Sequence, residues 1–387
     1  MKQLVRSTLK WGIVTALRCS GVFRLFRWMN RNRLIILTYH GVMPSSGLAG
    51  YETRNVVDED AFSWQMRYLA KHYRCLPLEE AVQRLVSGQP LPKYTVAVTF
   101  DDGFQNNLRY AFPILRWCGI PATIFVTTGH IGQGAKLLWT ERVGRMLAGA
   151  LVPQTITLPG DPEPLTLSLR TAAERDEARR IAMKWLKAMP SHRRDQVIQH
   201  LGEQLRTVEP GHPRAAELNQ DRYTFLTWTE VRELAQGGVS IGSHTVEHPV
   251  LSSLDDERRV NEVVESKREI ERHVNAPCTL FSYPNGTARD FDERDKANLQ
   301  RCEYTAAVAQ IPGLNDHRTD PFALRRLNIG RGHSPQLFIA QVSGFWPWIK
   351  SIATRWSMVL PTRDAFLTNY FRREATEPAR PGVVSNE

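Results

Sequence analysis

Short apolar runs alternate along this chain with longer stretches in which apolar residues recur every three or four positions. Seven of the runs, 34–39, 95–100, 122–127, 239–243, 279–283, 304–309 and 323–329, are rich in β-branched and aromatic residues and read as strands. The intervening stretches read as helices over 58–70, 77–86, 106–118, 229–236 and 254–274. Within the first, Phe62, Met66 and Leu69 form one apolar stripe; the second stops at Gly88 and the fourth at Gly237-Gly238. Pro113 is a flaw inside the third. Strands that alternate with helices predict a parallel α/β sheet or barrel.

The rhythm breaks between residues 137 and 223. Two charged helical patterns, 171–189 and 193–206, flank a polar, Pro-rich stretch there. We read this segment as a mostly helical insertion between two core strands, either a lid or a docking surface. At the far end Phe345-Trp346-Pro347-Trp348 leads into a short basic helix, and a disordered tail is expected from about Arg373. The expected organisation is a basic segment at 1–33, a catalytic domain at 34–345, and a C-terminal helix and tail at 346–387.

Composition narrows the class. The chain has 387 residues, 42% of them hydrophobic, with ten Trp and 15 Phe, enough for a sizeable core and too many for a disordered chain. The five cysteines form no CxxC pair, so neither a disulfide framework nor a cysteine zinc site is indicated. Formal net charge is +10, but eight of those charges fall in the first 33 residues, which contain no Asp or Glu. The remainder is almost balanced, which argues against nucleic acid as a partner of the folded part. In the basic segment Trp11, Ile13, Val14, Leu17, Phe23, Phe26 and Trp28 are interleaved with arginines. No apolar run there reaches the ~20 residues needed to span a bilayer. An interfacial helix on an anionic membrane surface is the favoured expectation. A helix packed on its own domain and a secretory signal are the alternatives.

The candidate chemistry lies just after the predicted strands. His40 follows the first, and Asp101-Asp102-Gly103 closes the second. His244 and His248 follow the fourth, and Tyr283-Pro284-Asn285-Gly286 overlaps the end of the fifth. In a parallel barrel these strand ends open on one face, where active sites form. Each motif alone has a bland reading: a turn, a pair of surface histidines, a buried histidine. Together, one Asp and two His are a sound ligand set for a divalent metal with an open position. The second Asp is then available as a base on metal-bound water.

These residues resemble the polysaccharide deacetylase family, the NodB-homology domain. The resemblance rests on Thr99-Phe100-Asp101-Asp102-Gly103, on the His244/His248 pair with three residues between, and on the run from Gly119 to Val126. Leu37-Thr38-Tyr39-His40 is similar to the opening of the branch acting on exopolysaccharides such as poly-N-acetylglucosamine. The resemblance spans roughly 34–130 and 225–332. It implies a distorted (β/α)7 barrel and a divalent metal, with zinc the expected ion, bound by Asp102, His244 and His248. Asp101 is then the base, Asn285 supplies an oxyanion-holding backbone N–H, and Tyr283 lines the substrate site. Two departures follow. The family's arginine before the third-motif proline is Ser282 here, so Arg326 or Arg331 is the candidate substitute. The late Leu-x-His is absent, and His333 lies in a different context, so His40 becomes the candidate acid. The implied activity is removal of N-acetyl groups from a polysaccharide or glycolipid intermediate. An O-acetyl sugar esterase and a non-catalytic glycan-binding relative are the alternatives. The expected partners are an N-acetylated glycan and an anionic membrane surface, with no nucleic acid. The expected location is the cytoplasmic face of a bacterial inner membrane, the periplasm being left open.

Overall fold

A computed structural model describes residues 21–48, 55–133, 136–150, 154–160, 163–205 and 222–359. The chain there runs α1 (Val22–Met29), β1 (Ile35–Tyr39), β2 (Gly41–Met43), β3 (Val56–Asp58), α2 (Glu59–His72), β4 (Arg74–Cys75), α3 (Leu78–Val86) and β5 (Thr95–Phe100). A π-helical turn (Asn107–Ala111) leads into α4 (Phe112–Cys118), then β6 (Ala122–Val126). Next come α5 (Trp139–Ala148), β7 (Thr155–Leu158), β8 (Leu165–Ser168), α6 (Ala172–Lys187) and α7 (Ser191–Leu205). The second half holds α8 (Trp228–Gln236), β9 (Ser240–Ser243), α9 (Asp256–Val274), β10 (Leu280–Ser282), α10 (Glu293–Arg301), β11 (Ala306–Ala309), β12 (Leu324–Arg325) and β13 (Leu327–Asn328). Helices α11 (Pro335–Val342) and α12 (Phe345–Val359) end it.

All seven expected strands form. They pair in parallel in the order β12, β11, β10, β9, β6, β5, β1, β13. Only Arg326 separates β12 from β13, so one extended segment pairs with β11 on one side and with β1 on the other. That segment nearly closes the ring, giving the expected distorted seven-stranded α/β barrel. Strand parity sorts the side chains. Ile36, Ala97, Phe125, Leu280, Val308 and Leu324 form an inner cluster, joined by Leu78, Ala81 and Val82 of α3. Ile35, Leu37, Val96, Val98, Ile124 and Phe281 face the surrounding helices.

The helices carry their own start and stop signals. Asp58 caps α2 by accepting from the backbone N–H groups of Asp60 and Ala61, and Phe62, Met66 and Leu69 bury its apolar face. Thr227 and Glu230 form a reciprocal capping box at α8. Pro113 is no flaw after all: it sits in the first turn of α4, where its missing N–H costs nothing, and the π-helical turn precedes it.

The segment between β6 and β9 packs around its own apolar cluster, with Leu147 of α5, Ala182 and Leu186 of α6, and Leu201 of α7. Here the polar, Pro-rich stretch differs from expectation. Alternating residues at 155–168, ahead of both helical patterns, fold as the antiparallel pair β7–β8, with Ile156, Leu158 and Leu167 buried in that cluster. Helix α1 packs on α12 through Phe23 and Phe26 against Phe345 and Trp348. Residues 1–20 and the expected tail from Arg373 lie outside the described residues.

Candidate active site

Asp101 continues the inward parity of Ala97 and Thr99 and leaves β5 at the C-terminal end of the ring. Both its oxygens are claimed by Arg326, with Nη1 donating to Oδ1 and Nη2 to Oδ2, each at 2.7 Å. Ser282 Oγ donates to Oδ1 and Gln310 Nε2 to Oδ2, both at 3.3 Å. Arg326 also donates to Ser282 Oγ at 2.9 Å and to Thr99 Oγ1 at 3.3 Å. The pair is buried, with Arg326 1% and Asp101 2% exposed. Burial alone pushes the Asp101 carboxyl up, but the Arg326 guanidinium, with His244, overrides it and holds it well below the usual carboxylate range. Of the two arginines considered as substitutes for the missing one, Arg326 therefore makes the contact.

Asp102 turns away from Asp101 at φ 78°, a left-handed conformation unusual for a residue with a Cβ. Its Oδ1 lies 3.6 Å from His244 Nε2 and 3.5 Å from His248 Nε2. Among the described residues this is the one group of three His, Cys, Asp or Glu side chains close enough to hold an ion. His244 Nδ1 donates to the Ser282 carbonyl at 2.7 Å, which leaves the Nε2 lone pair facing Asp102. Burial lowers the pKa of both histidines, so both imidazoles are neutral at neutral pH, the state that binds metal. Burial and the Asp101 charge raise the Asp102 carboxyl, so a cation bound beside it would be needed to keep it ionised. The donor separations exceed a hydrogen bond and approach the roughly 3.3 Å edges of a tetrahedron with bonds of about 2.0–2.1 Å. The set fits a divalent ion.

The loops are fixed by hydrogen bonds to one another. His244 N donates to the Val126 carbonyl at 3.0 Å, and Thr128 and Gly129 N donate to the Thr245 and Val246 carbonyls at 3.1 and 2.9 Å. From α9, Glu262 accepts from the backbone N–H groups of Val246 and Glu247. Of seven non-glycine residues at positive φ among the described residues, Asp102, Thr245, His248 and Asn285 belong to these strand-end loops. Strain of that kind, of order 1–3 kcal/mol per residue, persists only where the surroundings enforce it.

His40 stands beside Asp101 and His244, close enough for their charges to act on it, and its buried Nδ1 lacks a hydrogen-bond partner. Burial, reinforced by Arg326 and only partly offset by Asp101, lowers its pKa to about 4. Asn285 adopts φ 59° on the loop after β10, and its buried Nδ2 also lacks a partner. Tyr283 does not join them. Its ring stacks on Phe291 at 3.9 Å and its hydroxyl donates to the Phe322 carbonyl at 3.0 Å. The expectation that Tyr283 lines the substrate site is thus corrected. Ser282 takes the inward position of that strand, and the next residue must point outward. Gln310 was missed by sequence reasoning, although it directly follows β11 at the same end of the ring. His333 Nδ1 lies 3.1 Å from both the N–H and the carbonyl of Gly330, in the turn after β13.

A parallel barrel bearing a buried Asp–Arg pair beside an Asp-His-His donor set defines a hydrolase of the deacetylase class. The family model for polysaccharide deacetylase matches residues 88–153 and 201–307. The chain is similar to the Bacillus subtilis protein YxkH, whose name assigns it to the polysaccharide deacetylases. The two are 22% identical over 311 residues, 80% of this chain and 76% of that protein. It is 32% identical over 112 residues to poly-beta-1,6-N-acetyl-D-glucosamine N-deacetylase of Staphylococcus aureus, a match spanning 26% of this chain and 38% of that enzyme. The fold is shared with the Streptococcus pyogenes deacetylase PplD, with a TM-score of 0.53 and 19% identity over 81% of this chain and 99% of that one. The chain belongs to the polysaccharide deacetylase family.

Proposed function

We propose that this protein is a metal-dependent deacetylase that removes N-acetyl groups from a glycan or glycolipid intermediate. The observation that carries the reading is the adjacency of two unlike carboxylates: Asp101 locked to Arg326, and Asp102 grouped with His244 and His248. When bound, a divalent ion, with zinc the expected one, supplies Lewis-acid polarisation of the acetyl carbonyl and acidifies water. Asp101 accepts a proton from the attacking water, and the two 3.3 Å contacts from Ser282 and Gln310 are the ones that water replaces. Arg326 keeps the carboxylate ionised and in register. Asn285 is the proposed donor to the developing oxyanion, through its backbone N–H. His40 is the proposed acid for the leaving amine. It is neutral before reaction, so the proton it delivers must first reach it from Asp101, which has taken one from the attacking water, and negative charge growing beside it favours that uptake. That neutral state is the one feature that favours the second reading, an O-acetyl esterase, because an alkoxide leaving group needs less protonation.

We also infer that the protein works at an anionic membrane surface, as on the cytoplasmic face of a bacterial inner membrane. In support, Leu25, Trp28 and Met29 of α1 and Trp348 of α12 are exposed, and the chain's basic excess lies in the same N-terminal segment. Arg27 is turned inward, over the Tyr94 ring at 5.0 Å and bonded to the His72 carbonyl, so it is not counted among the outward charges. No helix among the described residues is long and apolar enough to cross a membrane.

The test is acetate release from N-acetylglucosamine oligomers by zinc-loaded protein, beside a chelated control and Asp101→Asn. Release abolished by both controls supports the reading. Release that survives chelation contradicts the metal, and no release from protein that binds no metal favours the non-catalytic relative.

A further inference from the structure

Between the barrel loops and the inserted segment lies a cavity of about 270 Å³. The loop that holds His248 forms one wall through Glu247 and Pro249; Trp139 of α5 and Arg194 and Ile198 of α7 form the other. Trp139 lies within a stretch matched by the family model, but Arg194 and Ile198 fall between the two matched stretches, so the α7 part of this wall belongs to the part of the chain that the family pattern does not describe.

The cavity gathers cationic side chains, and one of them, Arg194, is left unsatisfied by the acids around it. Arg194 is 3% exposed and stacked on the Trp139 ring at 4.5 Å. Its Nε and Nη1, and Trp139 Nε1, have no hydrogen-bond partner. Arg142, Arg258 and Lys136 also line the cavity. The acids there are engaged with other donors or stand out of reach of Arg194. Glu247 pairs with Lys136 at 2.6 Å, and Glu262 accepts from two backbone N–H groups. Asp195 is 62% exposed at its side chain and stands 4.0 Å from Arg194 Nε, beyond hydrogen-bond reach. A buried guanidinium with two nitrogens left without an acceptor is costly, so a retained one implies an acceptor from outside.

We propose that this cavity is an oxyanion subsite, seating a carboxylate or phosphate carried by the glycan a short way from the sugar being deacetylated. The subsite rests on the glycan-deacetylase reading for its place beside the reaction, but not for its binding chemistry. Guanidinium groups suit both oxyanions, since both present oxygens to a fork of N–H donors. The substrate class is therefore an acidic, N-acetylated glycan, and the insertion serves to select it.

The test uses full-length, chelator-treated protein, so that an anion cannot sit on a metal. Calorimetric titration with glucuronate, with glucose 6-phosphate and with glucose separates the two oxyanion chemistries from a neutral sugar. Expected is at least tenfold tighter binding of one acidic sugar than of glucose, reduced about tenfold in Arg142→Ala, in Arg258→Ala and in Arg194→Gln. The first two residues are exposed, so those variants report even where Arg194→Gln fails to fold. Equal binding of all three sugars, or folded Arg142→Ala and Arg258→Ala that bind as wild type does, overturns the subsite. Acetate release from neutral oligomers is measured in parallel. Release without anion preference removes the subsite alone; anion binding without release leaves the subsite standing and removes the deacetylase.

Discussion

Replacing Arg326 by Met tests the central electrostatic claim. The substitution removes two 2.7 Å charge-assisted bonds to Asp101 and one donor each to Ser282 and Thr99, all inside a buried cluster. Breaking one partner of a buried pair costs about 3–5 kcal/mol, because the remaining charge is left uncompensated. For a chain of this size that is a loss in Tm of about 4–6 °C at neutral pH. The pH dependence sharpens the test. In the wild type the folded-state pKa of Asp101 is depressed, so its stabilisation is present above the unfolded value of about 3.9 and is lost only as pH falls through the lower folded value. Without Arg326, burial raises Asp101 instead. Its contribution is then complete below about pH 3.9 and is lost as pH rises through the new, higher value. The stability gap between variant and wild type must therefore widen from acid to alkaline pH. Turnover should fall about 10²-fold or more, since the base is both misplaced and partly protonated. Thermal unfolding across pH, with kcat/KM for acetate release, measures both. A gap under about 2 °C at pH 8, or one that does not change with pH, refutes the reasoning. In Asp101→Asn/Arg326→Met, removal of the stranded charge should recover part of the lost stability.

Metal content and turnover should separate. Asp101→Asn keeps the metal and loses at least about 10²-fold in rate, whereas His248→Ala loses the metal itself, both read by elemental analysis beside acetate release. Because burial lowers His244 and His248, and Arg326 holds Asp101 low, the acid limb of kcat/KM should fall below pH 6.5, the ordinary histidine value. An inflection at or above 6.5 would contradict that ordering. His40→Ala should impair N-acetyl substrates far more than activated acetate esters, and equal loss on both would contradict a proton-donor role. For the membrane reading, Leu25→Ser/Trp28→Ser should reduce co-sedimentation with anionic vesicles; unchanged binding would sink the contribution of α1.

Much of this molecule follows from local rules. Each of the seven strands announced itself as a short run between turn residues, and Asp101, Asp102, His244 and His248 stood out because they follow such runs. The four-residue spacing of the histidines is set by the chain itself. Strand parity was equally readable: with Ser282 inward, Tyr283 had to face the helices, and naming Tyr283 a substrate residue overlooked a period of two. The β7–β8 hairpin was hidden by turn residues that mask two short alternating segments.

What tertiary structure decided is which distant charges meet. Arg326 lies 225 residues beyond Asp101, and Gln310 209 beyond it. Nothing local to either says that it will touch that carboxylate. Their meeting depends on closure of the ring, where the segment around Arg326 pairs with both β11 and β1 and turns the guanidinium inward. The same holds for Arg194 on its Trp139 platform, set against a barrel loop by the packing of the insertion. The sequence alone determined which groups this protein has for chemistry and at which end of the strands they emerge, because backbone periodicity is a short-range property. Only the folded barrel decided their partners and their protonation, because burial and charge pairing depend on neighbours brought together across the whole chain.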